Sequence, residues 1–212
     1  MVEFHQAVLS DAQRKVLGNL GPVLSEQGFY LAGGTAVALH LGHRESVDLD
    51  WFTQDGIRDP LQLAEALREA DLPFVTSSSQ RGTLHGSLSD VRLSFIETGY
   101  PLLAPVLTYE EVKSPIASLD DLAGMKLAAL SHRGAKKDFL DIYAICTKHR
   151  PLSEILDLYQ EKFSVEDIAS VLYALSYFED AEGQEMPRMI WPTDWEEIKT
   201  DIKAWLETLS GL

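Results

Sequence analysis

The segment 29–50 constrains the fold more than any other part of the chain. A short apolar run, 29–32, meets two consecutive glycines, Gly33 and Gly34, and passes straight into a helix-patterned stretch, 35–41, closed by Gly42. After the link His43-Arg44-Glu45-Ser46, residues 47–52 alternate in strand fashion. Val47, Leu49 and Trp51 fall on one side, Asp48 and Asp50 on the other. So short a link returns the second strand beside the first, parallel or antiparallel, and brings both acids near the glycine turn.

Each half has a chemical and a structural reading. Glycines at a strand-to-helix turn let a phosphate approach the backbone, and the helix that follows offers unpaired N–H groups and a favourable dipole, with the Thr35 hydroxyl as a further donor. Gly-Gly turns are also common as plain connections. Asp48 and Asp50, roughly 6.5–7 Å apart on one strand face, suit Mg²⁺ ions shared with triphosphate oxygens. That arrangement activates a hydroxyl nucleophile and neutralises a leaving pyrophosphate. An isolated D-x-D is equally a solvated strand face. Arg44 in the link is placed either to meet phosphate or to pair with Glu45 or Asp48 at the surface. Cradle and carboxylates together point to a metal-bound nucleoside triphosphate.

The rest of the chain reads as sheet first and helices second. A helix over 5–28 precedes the central unit and another over 60–70 follows it; short strands are expected at 74–77, 84–88 and 91–96. Beyond Pro101 the pattern is helical, at 119–131, 136–149, 153–162, 165–178 and 194–209, with Ser118 and Asp121 resembling a capping box. The expected organisation is a core with a mixed sheet over 1–105 and a mainly helical part over 106–212 packed on it. At 212 residues the chain can bury most of its apolar surface unaided. The single cysteine, Cys146, forms no internal disulfide, no Cys/His spacing resembles a zinc site, and there is no signal peptide or membrane-spanning stretch, which together suit the cytoplasm.

A net charge of -15 argues against broad adhesion to DNA or anionic membrane. The segment 126–150 departs from that balance, with six Lys/Arg against two acids, Asp138 and Asp141, and is the one candidate anion-facing surface. Within it, Lys137 stands four residues before Asp141 and Lys126 sits on the preceding helix; local salt bridging and a snorkelling surface lysine are the plain alternatives. His40, His43, His85, His132 and His149 are scattered without ligand spacing and read as structural or surface residues. Trp191, Trp195 and Trp205 read as helix packing rather than base stacking.

FYLAGGTAVALHLGHRESVDLDWF together with GMKLAALSHRGAKKDFLDIYAI resembles the AbiEii/AbiGii-type abortive-infection toxins of the polymerase-β-like nucleotidyltransferase superfamily, over roughly residues 15–150. The resemblance implies an α+β fold, a nucleotidyltransferase-like mixed sheet flanked by helices and followed by a helical C-terminal part. It implies that Gly33, Gly34, Thr35, Asp48 and Asp50 bind a metal–nucleotide complex, with Mg²⁺ or Mn²⁺ on the two acids. Lys126 matches the family's triphosphate-contacting lysine, and Asp141 best matches a later functional acid, with Asp138 second. Arg44 and Lys137 join the nucleotide-binding candidates. Asp48, Asp50, Lys126 and Asp141 are the catalytic ones, Asp141 as a group that orients or deprotonates the acceptor.

The implied activity is transfer of a nucleoside monophosphate from an NTP to an acceptor hydroxyl on tRNA, protein or a small molecule, in the toxic half of a toxin–antitoxin or phage-defence pair. An antitoxin protein and tRNA are the expected macromolecular partners, and no membrane is. One departure stands out. Superfamily enzymes commonly carry a third carboxylate on a later strand, where this chain places Ser94, flanked on the same face by Arg92 and Ile96. A nucleotide-binding or partner-binding module without turnover is therefore the alternative.

Overall fold

Ser10 caps the first helix, α1 (Asp11–Glu26), in a capping box with Gln13. Gly28, in the left-handed region at φ 71°, then turns the chain into β1 (Phe29–Ala32). The computed structural model describes residues 4–210. The expected helix over 5–28 starts late because Ser10 takes its cap, leaving a single 3-10 turn, Gln6–Val8, ahead of it.

From β1 the chain enters α2 (Gly33–Leu41), ended by Gly42 in the left-handed conformation, and returns as β2 (Asp48–Thr53). β1 and β2 pair antiparallel with Ala32 opposite Asp50. Val47 lies just outside the strand and is exposed, so it does not share the buried face of Leu49 and Trp51. Next come α3 (Pro60–Glu69) and the meander β3 (Val75–Gln80), β4 (Thr83–Leu88) and β5 (Val91–Glu97). β5 runs parallel to β2, with Asp48 opposite Arg92 and Asp50 opposite Ser94.

Two short strands missing from the pattern, β6 (Leu107–Tyr109) and β7 (Ser114–Ile116), complete a seven-stranded mixed sheet ordered β3-β4-β5-β2-β1-β7-β6. Three residues each, one of them holding Pro115, give no alternation to read. Since β7 pairs parallel with β1, the sheet continues past residue 105 and a boundary there would run through it. The helical part comprises α4 (Leu119–Arg133), α5 (Lys136–Lys148), α6 (Leu152–Phe163), α7 (Ala169–Ser176), α8 (Glu179–Glu182) and α9 (Trp195–Ser210).

One face of the sheet is the core. Leu49, Trp51, Leu93 and Phe95 point into it, with Phe29 and Phe74 edge-on to Phe95 at 5.7 and 5.8 Å. α1 and α3 pack against this sheet. Each such aromatic contributes about 1.5–3 kcal/mol by burial. α2, α4 and α5 pack on one another, leaving the Asp48–Asp50 face open beside them. Trp195 packs against Phe139 and Trp205 stacks on Tyr143, as helix packing requires. Ser118 does cap α4, but Asp121 completes no box. Its carboxylate turns inward to the Leu103 and Ala104 amides and to Lys162, 2.6 Å away. No helix among the described residues is long and apolar enough to cross a membrane.

Candidate active site

The strand-to-helix turn at Gly33 has no room for a side chain. Gly33 is left-handed at φ 66°, and a Cβ there would run into the Asp50 carboxylate. A Cβ on Gly34 would meet the Arg44 guanidinium. The two glycines thus let one carboxylate and one guanidinium close on the N-terminus of α2. The resulting cavity, of about 930 Å³, is floored by Asp48, Asp50, Ser94 and His85 and walled by α4, the start of α5 and residues 184–188.

Alternation along β2 aims both acids into this space. Asp50 carries no hydrogen bond or ion pair from its carboxylate among the described residues. Asp48 is flanked by two cations: Arg92 Nε stands 2.7 Å from Oδ1, out of line for a hydrogen bond, and Lys137 Nζ is 3.9 Å from Oδ2. Asp48 Oδ1 is therefore buried with an ion pair but no aligned hydrogen bond.

The second predicted block forms a buried ionic network rather than a surface. Asp141 is fully buried and accepts from Arg44 through both oxygens (2.7 and 2.9 Å). It also meets Lys126 Nζ at 2.7 Å and His43 Nε2 at 2.8 Å. Asp138 pairs with Lys126 at 3.1 Å and, bidentately, with Arg133. Burial pushes the Asp141 and Asp138 carboxyls up, but Arg44 and Lys126 for the first, and Lys126 and Arg133 for the second, outweigh it and hold both below the usual carboxylate range. Lys126 is the mirror case: burial pushes it down, the two aspartates push it further up, and it stays charged. Burial lowers His43 despite its bond to Asp141, which suits a neutral ring donating from Nε2 while Nδ1 lacks a partner.

Several expected roles change on this geometry. Asp141 has no exposure with which to deprotonate an acceptor; it positions Arg44 and Lys126. Lys126 is not a surface lysine, and Arg44 pairs with Asp141 rather than with Glu45 or Asp48 side chains. The Thr35 hydroxyl is committed to Ser46 at 2.8 Å and to the Asp48 carbonyl, so it braces β2 instead of meeting phosphate. Most cations of the basic stretch 126–150 already have partners. Lys126 and Arg133 face Asp138, Lys136 donates to the 182 and 184 carbonyls, and Arg150 pairs with Asp120. Lys137 alone of these reaches toward Asp48.

No group of three or more His, Cys, Asp or Glu that could hold a metal occurs among the described residues. Two carboxylates on one strand, Asp50 unpaired and Asp48 held only by ion pairs to Arg92 and Lys137, remain as a donor set. They suit a hard divalent ion that keeps water and phosphate oxygens as its other ligands, not a protein-caged one.

The model of the family described as nucleotidyl transferase AbiEii toxin, type IV TA system, matches residues 15–82 and 86–208. The chain belongs to that family. An uncharacterized protein of Aquifex aeolicus is 35% identical to this AbiEii nucleotidyltransferase over 206 residues, 94% of this chain and 98% of its own. Among solved structures, JHP933 of Helicobacter pylori (19% identity, TM-score 0.60, 96% of this chain and 94% of that one) has the same fold. So do the nucleotidyltransferase toxin MenT4 of Mycobacterium tuberculosis (14%, 0.60, 94% and 83%) and the antibiotic-resistance factor ANT(2'')-Ia (13%, 0.58, 74% and 94%).

Three cavity features of the AbiEii protein escaped the sequence. Arg92 had a signal, since it shares a strand face with Ser94, but only the β2–β5 register sets it against Asp48. His85 had none, because its neighbour across β4–β5 is Ser94, nine residues away through a turn. Residues 184–188 come from beyond α8: Glu45 N donates to the Arg188 carbonyl at 2.9 Å and Arg188 pairs with Glu45 at 2.8 Å, a contact across more than 140 residues.

Proposed function

We propose that this protein transfers a nucleoside monophosphate from a divalent-metal NTP to an acceptor hydroxyl, releasing pyrophosphate, with Asp48 and Asp50 as the metal-binding pair. The observation that carries it is the placement of two cavity-facing carboxylates on one strand, Asp48 held only by ion pairs and Asp50 lacking any hydrogen bond or ion pair and lying directly against a glycine turn at a helix N-terminus. Mg²⁺ or Mn²⁺ held there would polarise the α-phosphate and offset charge on the leaving group.

The remaining work falls to the chain itself. The Gly33–Gly34 amides receive phosphate oxygens. Lys126 and Arg44, held charged by Asp141, supply a fixed positive field behind the triphosphate, so little reorganisation is needed as charge develops. Lys137 and Arg92 are placed to exchange Asp48 for phosphate once the metal takes that carboxylate. The acceptor is tRNA, protein or a small molecule; the pairing of most cations in 126–150 weakens the electrostatic case for RNA. As a family member, the protein acts as the toxin of a toxin–antitoxin pair, with an antitoxin as partner, in the cytoplasm.

Ser94 opposite Asp50 favours the second reading, a module that binds nucleotide without turning it over. Incubation with α-labelled NTPs and an acceptor panel of total tRNA, cell protein and metabolites separates the two. Label transfer by the wild type and none by Asp50→Asn supports the enzyme. Label transfer only after Ser94→Asp supports the module.

A further inference from the structure

His85 lies on β4 directly opposite Ser94 of β5, which lies opposite Asp50 of β2. In-register neighbours point to the same face of a sheet, so Asp50, Ser94 and His85 form one row across the cavity floor, with His85 about two strand spacings, roughly 10 Å, from Asp50. The imidazole is half-buried, lines the cavity and takes no hydrogen bond, ion pair or ring contact among the described residues. It falls between the two stretches matched by the family model.

The row has a direction. The glycine turn lies on the β1 side of Asp50, with Ala32 as its register partner, and seats the phosphates that leave. In-line displacement puts the attacking oxygen on the opposite side of the α-phosphorus from the leaving oxygen. The acceptor hydroxyl therefore approaches over β5 and β4. The side chains lining that side include Ser77, His85, Ser87, Arg92 and Ser94, and of these the imidazole is the one general-base side chain, with a ring nitrogen lone pair that can take a proton.

Building on the nucleotide site proposed above, we infer that His85 is the general base for the acceptor, working where a carboxylate at Ser94 would otherwise stand. The acceptor oxygen forms a bond to the α-phosphorus while the bond from that phosphorus to the bridging oxygen of the β-phosphate breaks. The pyrophosphate leaves with the bonding pair, and the hydroxyl proton passes to the imidazole and then to water. Ser94, with a short hydroxyl beside the ring, leaves space for the acceptor that an acid would fill. The charged groups facing His85 are Arg92 on β5, Asp48 and Asp50 on β2, Arg133 and Lys137 across the cavity, and Glu185 and Arg188 at its rim.

The test follows pyrophosphate release from each Mg-NTP, in water alone and with total tRNA, for wild type, His85→Gln and His85→Ala between about pH 5.5 and 9. Expected are a kcat about 10²–10⁴-fold lower in both variants, NTP KM unchanged within about twofold, and loss of the acidic limb of the pH profile. Added imidazole is expected to restore part of the His85→Ala rate. Wild-type kcat in His85→Gln overturns the inference. So does a raised KM with kcat intact, which would make His85 a nucleotide contact. Independently of any acceptor, the His85 Cε1–H NMR resonance, assigned by its loss in His85→Gln, should move on adding Mg²⁺ with a non-hydrolysable NTP analogue; a resonance that stays put also overturns it. Absence of any Mg-NTP melting shift in the wild type removes the nucleotide site and this inference together. A wild-type shift with unaltered His85→Gln kinetics removes this inference alone.

Discussion

Asp141 shows how much one side chain can organise. Its carboxylate meets Arg44, Lys126 and His43 without contact with solvent, so replacing it leaves Arg44 buried without a carboxylate and Lys126 with Asp138 alone. Asp141→Ala should cost about 3–5 kcal/mol, measured by urea denaturation; a loss under 1 kcal/mol would mean that Arg44 and Lys126 find water instead. The network also sets an acid limit. Asp138 and Asp141 have folded-state pKa values below their unfolded ones, so their contribution is present above about pH 4 and is lost as pH falls through the lower folded values. His43, lowered by burial, adds an earlier loss, starting as pH falls below about 6.5, where the unfolded ring takes a proton the folded ring resists. Stability against pH should therefore decline in two stages, and His43→Gln should shrink the upper one, to which His40, likewise lowered by burial, also contributes. Gly33→Ala belongs to the same scale: the left-handed φ costs about 1–2 kcal/mol, and the added methyl displaces Asp50, so Mg-NTP stabilisation should vanish while most stability remains.

At the scale of elements, the wall formed by residues 184–188 depends on few ties. Lys136 Nζ donates to the Glu182 and Gln184 carbonyls, its amide donates to the Gln184 side chain, and His43 O accepts from Ile190 and Trp191. Lys136→Met should raise hydrogen exchange across 183–191 well above the rest of the fold; unchanged protection would place the anchor at His43 and Glu45 instead. The same elements show what a sequence can reveal. β1, α2 and β2 were legible because glycine punctuation and period-two alternation are local, and they carry the carboxylates. β6, β7 and the 184–188 wall were not, because three-residue strands and a loop have no period and exist only through partners far along the chain. The burial of Asp141 and Lys126 was not legible for a related reason: residue type suggests chemistry, but only the packing of α4 and α5 shows which charges are enclosed.

The whole molecule divides its charge by depth. A chain of net charge -15 keeps Arg44, Lys126, Arg133 and Lys137 around one cavity and pairs most of them with buried aspartates. Site and core are thereby joined, since the network that holds the cations also fastens α2 to α4 and α5. A triphosphate and its metal supply the charges missing from that balance, so binding should stabilise the entire fold. At 100 times Kd the gain is about 2.7 kcal/mol, or roughly 5–10 °C in Tm for a chain of this length. The most direct test of the account is the melting temperature with each NTP, with and without Mg²⁺, for wild type and for Asp48→Ala/Asp50→Ala. The account predicts a metal-dependent rise in the wild type that the double variant loses; no rise with any NTP, or an equal rise in the variant, would contradict it.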